Sequence, residues 1–198
     1  SNADRARNDV QDVMRALIAV PGVTYAQVFT NSSRVTDANG LAPGEVAVAV
    51  IGGEDEEIAA TLRRYLVPGV PLYGNAEVSA EIDGFCRTLY IIRPIIIPVE
   101  LHITVRLSKD ARGCPPPSPM GIRDGLIEDF NNGRRLLNGD DITYFRIRSA
   151  IESRFPNVEV VSFVGMRDEI EQSDNQPVSI GFIEMASVEA TDVTVSVV

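Results

Sequence analysis

From Ile95 to Leu107 every odd position carries Ile, Val or Leu, whereas the even positions from Pro98 onward carry Pro, Glu, His, Thr and Arg. A period of two predicts a strand with one face buried and the other in water. At about 3.3 Å per residue such a strand spans on the order of 40 Å, long enough to bend or to pass from one sheet into a second. Pro98 lacks an N–H and belongs at an edge or near the bend. The division between two domains is expected close to it.

A different pattern governs Glu45–Leu66. Val46, Val48 and Val50 alternate with Ala47, Ala49 and Ile51, so neither face is polar and the strand is expected to be covered on both sides. The small alanines point to close packing there, with a helix as the usual cover. Gly52-Gly53 breaks the strand. Glu54-Asp55-Glu56-Glu57 then opens a helix whose positive end those acids favour. Ile58, Leu62 and Leu66 recur every four residues, and Ala59 and Tyr65 widen the stripe.

The remaining segments follow the same rules. Asp4–Val20 places Val10, Val13, Met14, Leu17 and Ile18 on one helical stripe, which Pro21-Gly22 ends. Val23–Thr30 is a strand, and Asn31–Gly44 is the long loop of a hairpin. After the breaker run Pro68–Gly74, Leu89–Ile92 is expected to rejoin the sheet in parallel through a right-handed crossover. Gly113–Pro119 is extended. A helix carrying Ile122, Leu126, Phe130 and Leu137 follows, weakened by Gly125 and Gly133. Asp140-Asp141 is expected to cap a helix bearing Tyr144, Ile147, Ile151 and Phe155. Val158–Val164, Ser179–Met185 and Asp192–Val198 are the closing strands, with Gly165–Pro177 a polar loop. The sum is an α+β chain of two small tandem α/β domains, 4–96 and 97–198, each a mixed sheet covered by helices. Ser1-Asn2-Ala3 has the look of a tag remnant.

Composition narrows the function classes. The 198 residues carry 28 acids against 18 bases, a net charge of −10. The adjacent basic pairs are only Arg63-Arg64 and Arg134-Arg135, which argues against nucleic-acid binding. No apolar run reaches the roughly 20 residues of a membrane span. Cys86 and Cys114 have no metal-type spacing and are expected as free thiols.

Candidate chemistry is sparse. Gly52-Gly53 ahead of a helix would suit a phosphate, but four acids follow immediately and would repel one. Glu54–Glu57 splay around a helical turn instead of converging on a cation, and Asp140-Asp141 are better explained as a cap. The single histidine, His102, falls on the polar side of the long strand, where a triad or a histidine metal site is hard to assemble. Asp124, Glu128 and Asp129 leave room for a carboxylate dyad. No residue is assigned a catalytic, cofactor-binding or metal-binding role on these grounds, and no cofactor is expected. Ile95-Ile96-Ile97 and the proline-rich loop are candidate assembly faces, with burial where the domains join as the alternative.

Several punctuation marks recur together: Pro21-Gly22-Val23 after a helix, Val28–Asn31 closing a strand, and Gly40-Leu41-Ala42-Pro43 in the loop. Val46–Val50 with Gly52-Gly53, Glu57-Ile58-Ala59, Pro68-Gly69-Val70, Gly74-Asn75 and Arg93-Pro94 continue the series. With Gly139-Asp140 and Asn157-Val158 in the second half, the chain resembles the baseplate J-like family of contractile phage tail wedge proteins, in its C-terminal portion. Gly44-Glu45 departs from the more polar pair usual there. The resemblance implies a structural subunit of a phage or prophage-derived baseplate in the virion, made in the bacterial cytoplasm. It implies several copies around the tail axis, other wedge and tail proteins as partners, and no catalysis. A small-ligand-binding regulatory module and a carboxylate-based hydrolase are the alternatives.

Overall fold

The computed structural model describes residues 2–198, with side chains from Asp9 onward; Ser1 of the tag-remnant reading lies outside them. The fold is α+β, with helices packed on mixed sheets, and the chain divides into two compact units, Ser1–Pro94 and Ile95–Val198. The division falls between Pro94 and Ile95, just ahead of the long strand rather than inside it.

The first unit contains α1 (Asn2–Ile18), β1 (Tyr25–Thr30), β2 (Val46–Ile51), α2 (Asp55–Tyr65), β3 (Leu72–Tyr73), β4 (Ala76–Ile82) and β5 (Phe85–Ile91). β2 is central: β1 pairs with it antiparallel and β3 parallel. Its core joins Val13 and Leu17 of α1 and Ile58, Ala59 and Leu62 of α2 to Val28, Val48 and Val50. The helices therefore cover the valine face of β2, not the alanine face where a helix was expected. Ala47 and Ala49 are nonetheless fully buried. On α1, Ile18 is 51% exposed and leaves the stripe, its place taken by Val20 beyond the helix end.

The region after Pro68 differs more from expectation. The segment that first rejoins β2 in parallel is the short β3, and Ile92 adds a single parallel bridge to Ala49. Ala76–Ile82 is a strand that the pattern reading passed over, paired antiparallel with β5 as a two-stranded hairpin. Its turn is Asp83-Gly84, with φ of 53° and 78°. That dipeptide suits the left-handed turn that matches strand twist. Val78, Ala80 and Ile91 join the hairpin to the core.

The second unit is built on β6 (Ile95–Leu107), followed by α3 (Pro119–Asn131), α4 (Tyr144–Glu152), β7 (Val158–Arg167), β8 (Ile170–Glu171), β9 (Glu184–Ser187) and β10 (Val193–Val197). β6 remains within one sheet along its whole length. It takes β9 in parallel over Ile95–Pro98, then β10 in parallel over Leu101–Val105, with β7 antiparallel on its other side from Val99. Pro98 thus sits where the partner changes, before β7 begins. The odd positions Ile97 to Val105 are buried under Ile122, Leu126, Phe130, Ile147 and Ile151 of the two helices.

Local chemistry corrects five expectations here. Pro119 is not part of the extended run but opens α3, where a missing N–H costs nothing, and Ser118 caps it by accepting from Gly121 N at 3.1 Å. α3 ends at Asn131, so Leu137 lies beyond it and Leu136 is the buried residue of the turn. Thr143, not Asp140 or Asp141, caps α4. Asp140 instead accepts from Leu137 N and Asp141 from Ile180 N, fastening the preceding loop. The polar loop Gly165–Pro177 contains the end of β7, a tight turn at Asp168-Glu169 and β8. The strand expected at Ser179–Met185 forms instead at Glu184–Ser187.

Candidate functional site

Some of the punctuation marks, Pro21-Gly22, Gly52-Gly53, Gly74-Asn75 and Arg93-Pro94, come together in the first unit. Arg93 follows β5 and reaches back across the Gly52-Gly53 break. Its Nη1 donates to the carbonyls of Val50 (3.2 Å) and Gly52 (2.6 Å), and Nη2 donates to Gly53 O (3.1 Å) and Asp55 Oδ1 (2.5 Å). Its backbone is held too: Arg93 N donates to Asn75 Oδ1 at 2.9 Å, and Asn75 Nδ2 donates to Arg93 O at 3.0 Å. One planar guanidinium thus collects the carbonyls of a chain break and an acid of the helix start.

Glycine is required beside it. Gly52 has φ of +79°, and a Cβ there would lie 2.0 Å from the carbonyl oxygen of Gly22. A Cβ on Gly74 would lie 2.1 Å from Ile91 O. Pro21-Gly22, Gly52-Gly53, Gly74-Asn75 and Arg93-Pro94, distant in sequence, are four sides of one backbone junction. Arg93 and Asn75 supply its hydrogen bonds, and Gly22 and Gly74 its close backbone approaches. The Gly52 and Gly53 carbonyls accept from the guanidinium.

Each acid of the proposed carboxylate dyad has a partner of its own. Asp124 pairs with Arg123 (3.0 Å), Asp129 with Arg134 (3.6 Å), and Glu128 accepts from Asn132 Nδ2 (3.1 Å). His102 is exposed on the open side of β6, opposite Val164 and Thr194. Among the described residues no group of three His, Cys, Asp or Glu side chains is placed to hold a metal ion, and no helix is long and apolar enough to cross a membrane. Cys86 and Cys114 are both free and exposed.

Two further features were not legible beforehand. Asp129, Phe130, Arg134, Phe145, Arg146 and Ser149 line a cleft of about 270 Å³ between α3 and α4. Its two arginines are engaged at the walls, Arg134 with Ser149 O and Ser153 Oγ and Arg146 with Asp140. In the same unit Arg167 grips Glu184 through two bonds, Nη1 to Oε1 at 2.8 Å and Nη2 to Oε2 at 2.6 Å. That bond, with a second from Gly181 N, holds the Glu184 carboxyl below its ordinary range. Arg167 is driven further into its charged form by the same contact.

No protein-family model matches this sequence, and neither does any curated protein. Neither comparison bears on the resemblance to the baseplate J-like family. Sequence reasoning named Gly52, Gly74, Asn75 and Arg93 as separate turn signals. That Arg93 bonds both Asn75 and the Gly52 carbonyl was not legible, because nothing in a linear pattern pairs residue 93 with residues 50 to 55.

Proposed function

We propose that the chain is a structural subunit of a contractile phage, or prophage-derived, tail baseplate wedge, acting through contacts with neighbouring wedge and tail proteins. The observation that carries this reading is the Arg93 junction. Gly52-Gly53, Asn75 and Arg93, which are among the residues of the resemblance, are engaged in closing the backbone, as befits a family signature that encodes a shape and not a reaction. Ile95 and Ile96, each 49% exposed at the start of β6, supply apolar surface of the kind assembly faces use.

Co-expression with the proteins encoded beside it, followed by affinity capture, tests the proposal. A stoichiometric complex that survives gel filtration, together with tailless particles when the chain is deleted from its parent, is the expected result. Intact tails in the deletion would overturn it. The alternative of a small-ligand-binding module has the cleft between α3 and α4 in its favour. Saturable binding of a small molecule there, abolished by Phe145→Asp, would shift the assignment to that reading.

A further inference from the structure

The two outer edges of the second sheet are treated very differently. Beyond β7 the backbone is closed to any incoming strand. Val160 N donates to Glu152 Oε1 (3.1 Å), and Val160 O accepts from Tyr144 Oη (2.7 Å). Phe163 exchanges bonds with Asn175, its N–H to Oδ1 at 2.9 Å and its carbonyl from Asn175 N at 2.8 Å. Gly165 O accepts from Gln172 N, and β8 covers Met166 and Arg167. Side chains and a charged hairpin are the usual devices that keep an edge from pairing.

β10 has none of them. It is the terminal strand on the other side and, among the described residues, pairs only with β6. Val193–Val197 contains no charge, no proline and no bulge. Val198 N donates to Val105 O, so by alternation Thr194 and Ser196 direct their backbone groups at β6, while Val193, Val195 and Val197 direct theirs outward. The N–H of Val193 is turned back onto Ala190 O. What is left open is the N–H groups of Val195 and Val197 and the carbonyls of Val193, Val195 and Val197.

The sequence of this edge reads Val-Thr-Val-Ser-Val, the same in chemical kind from either end. A twofold axis through Val195 would place Val195 opposite its own copy, Val193 opposite Val197, and Thr194 opposite Ser196. Valine then meets valine on one face and hydroxyl meets hydroxyl on the other. Each open N–H finds a carbonyl, Val195 with its copy and Val197 with Val193. The blocked N–H of Val193 leaves one carbonyl, that of Val197, in water. An isologous interface requires this kind of self-complementarity.

We propose that β10 is a homodimerisation edge, on which a second copy of the chain adds its own β10 antiparallel and joins the two sheets into one. The inference stands on the backbone and pattern of β10 and does not rest on the wedge reading. Val197, 47% exposed in the single chain, becomes covered by the partner strand.

The test uses the full chain with Cys86 and Cys114 replaced by serine. Thr194 and Ser196 of opposite copies fall at a non-hydrogen-bonded site, where Cα atoms lie about 4.5 Å apart, within disulfide reach. A mixture of T194C and S196C chains is expected to form a disulfide-linked heterodimer on mild oxidation, and neither variant alone is expected to link to itself. In sedimentation the unsubstituted chain should show a concentration-dependent dimer. V197K, which sets a lysine on the edge of each copy, should raise the dissociation constant at least about tenfold with an unchanged circular dichroism spectrum. A monomer at every concentration, self-linking by T194C alone, or a dimer indifferent to V197K would each overturn the proposal.

Discussion

Arg93→Ala leaves the carbonyls of Val50, Gly52 and Gly53 without their shared donor and Asp55 without its partner. The guanidinium side chain is 26% exposed, so water replaces part of what is lost. Charged hydrogen bonds contribute about 1.5–3 kcal/mol each when well sheltered. A loss of about 3 kcal/mol in urea unfolding is therefore expected, and Arg93→Lys should recover less than half because an ammonium cannot span three carbonyls. The Arg167–Glu184 pair makes a second prediction, this one dependent on pH. The folded-state pKa of Glu184 lies below its ordinary value of 4.5, so its contribution is complete above that pH and lost as pH falls through the folded value. Glu184→Gln should cost about 1–2 kcal/mol at pH 7. The difference between it and the unsubstituted chain should shrink as pH falls below 4.5 and through the lowered folded-state value, in parallel chemical melts.

At the scale of elements, periodicity revealed most of what it could reach. Ile95–Leu107, Val46–Ile51 and the stripe Ile58-Leu62 lie where alternation and four-residue spacing put them, because burial on one face enforces those periods. The β4–β5 hairpin was legible as well: Asp83-Gly84 between alternating Val78, Ala80 and Ile82 is a strong turn signal that the reading overlooked. Other features were not legible. Asp168 and Glu169 take positive φ without glycine or asparagine to announce it. Thr143 caps α4 in preference to the two aspartates before it, which are held by loop bonds from Leu137 and Ile180. Gly125 looked like a weakness in α3, yet a Cβ there would meet the Phe155 ring at 2.7 Å. Gly125→Ala should therefore destabilise by about 1–2 kcal/mol, where helix propensity alone would give a gain of about 1 kcal/mol. Thermal denaturation checks the sign, and adding Phe155→Leu should reverse it.

For the whole molecule, each unit encloses its own set of buried residues, Val13 to Ile91 in the first and Ile97 to Val193 in the second. Separate cores are what allow separate folding. Residues 95–198 expressed alone should give one cooperative thermal transition and dispersed amide resonances. A broad, non-cooperative melt would mean that the second core is incomplete by itself. This scale was only partly visible in the sequence: the long strand marked where the chain changes unit, but residues such as Arg93 that close the first unit gave no sign of their reach.

The Arg93 junction also fixes how tension would enter the first unit. Pro94 is the last residue of that unit, and the residues just before it are tied to the middle of the sheet, Ile92 to β2 and Arg93 to the β2–α2 break. A pull applied at Pro94 is thus delivered straight to the central strand, bypassing the β4–β5 hairpin, which would hang slack beside the load path.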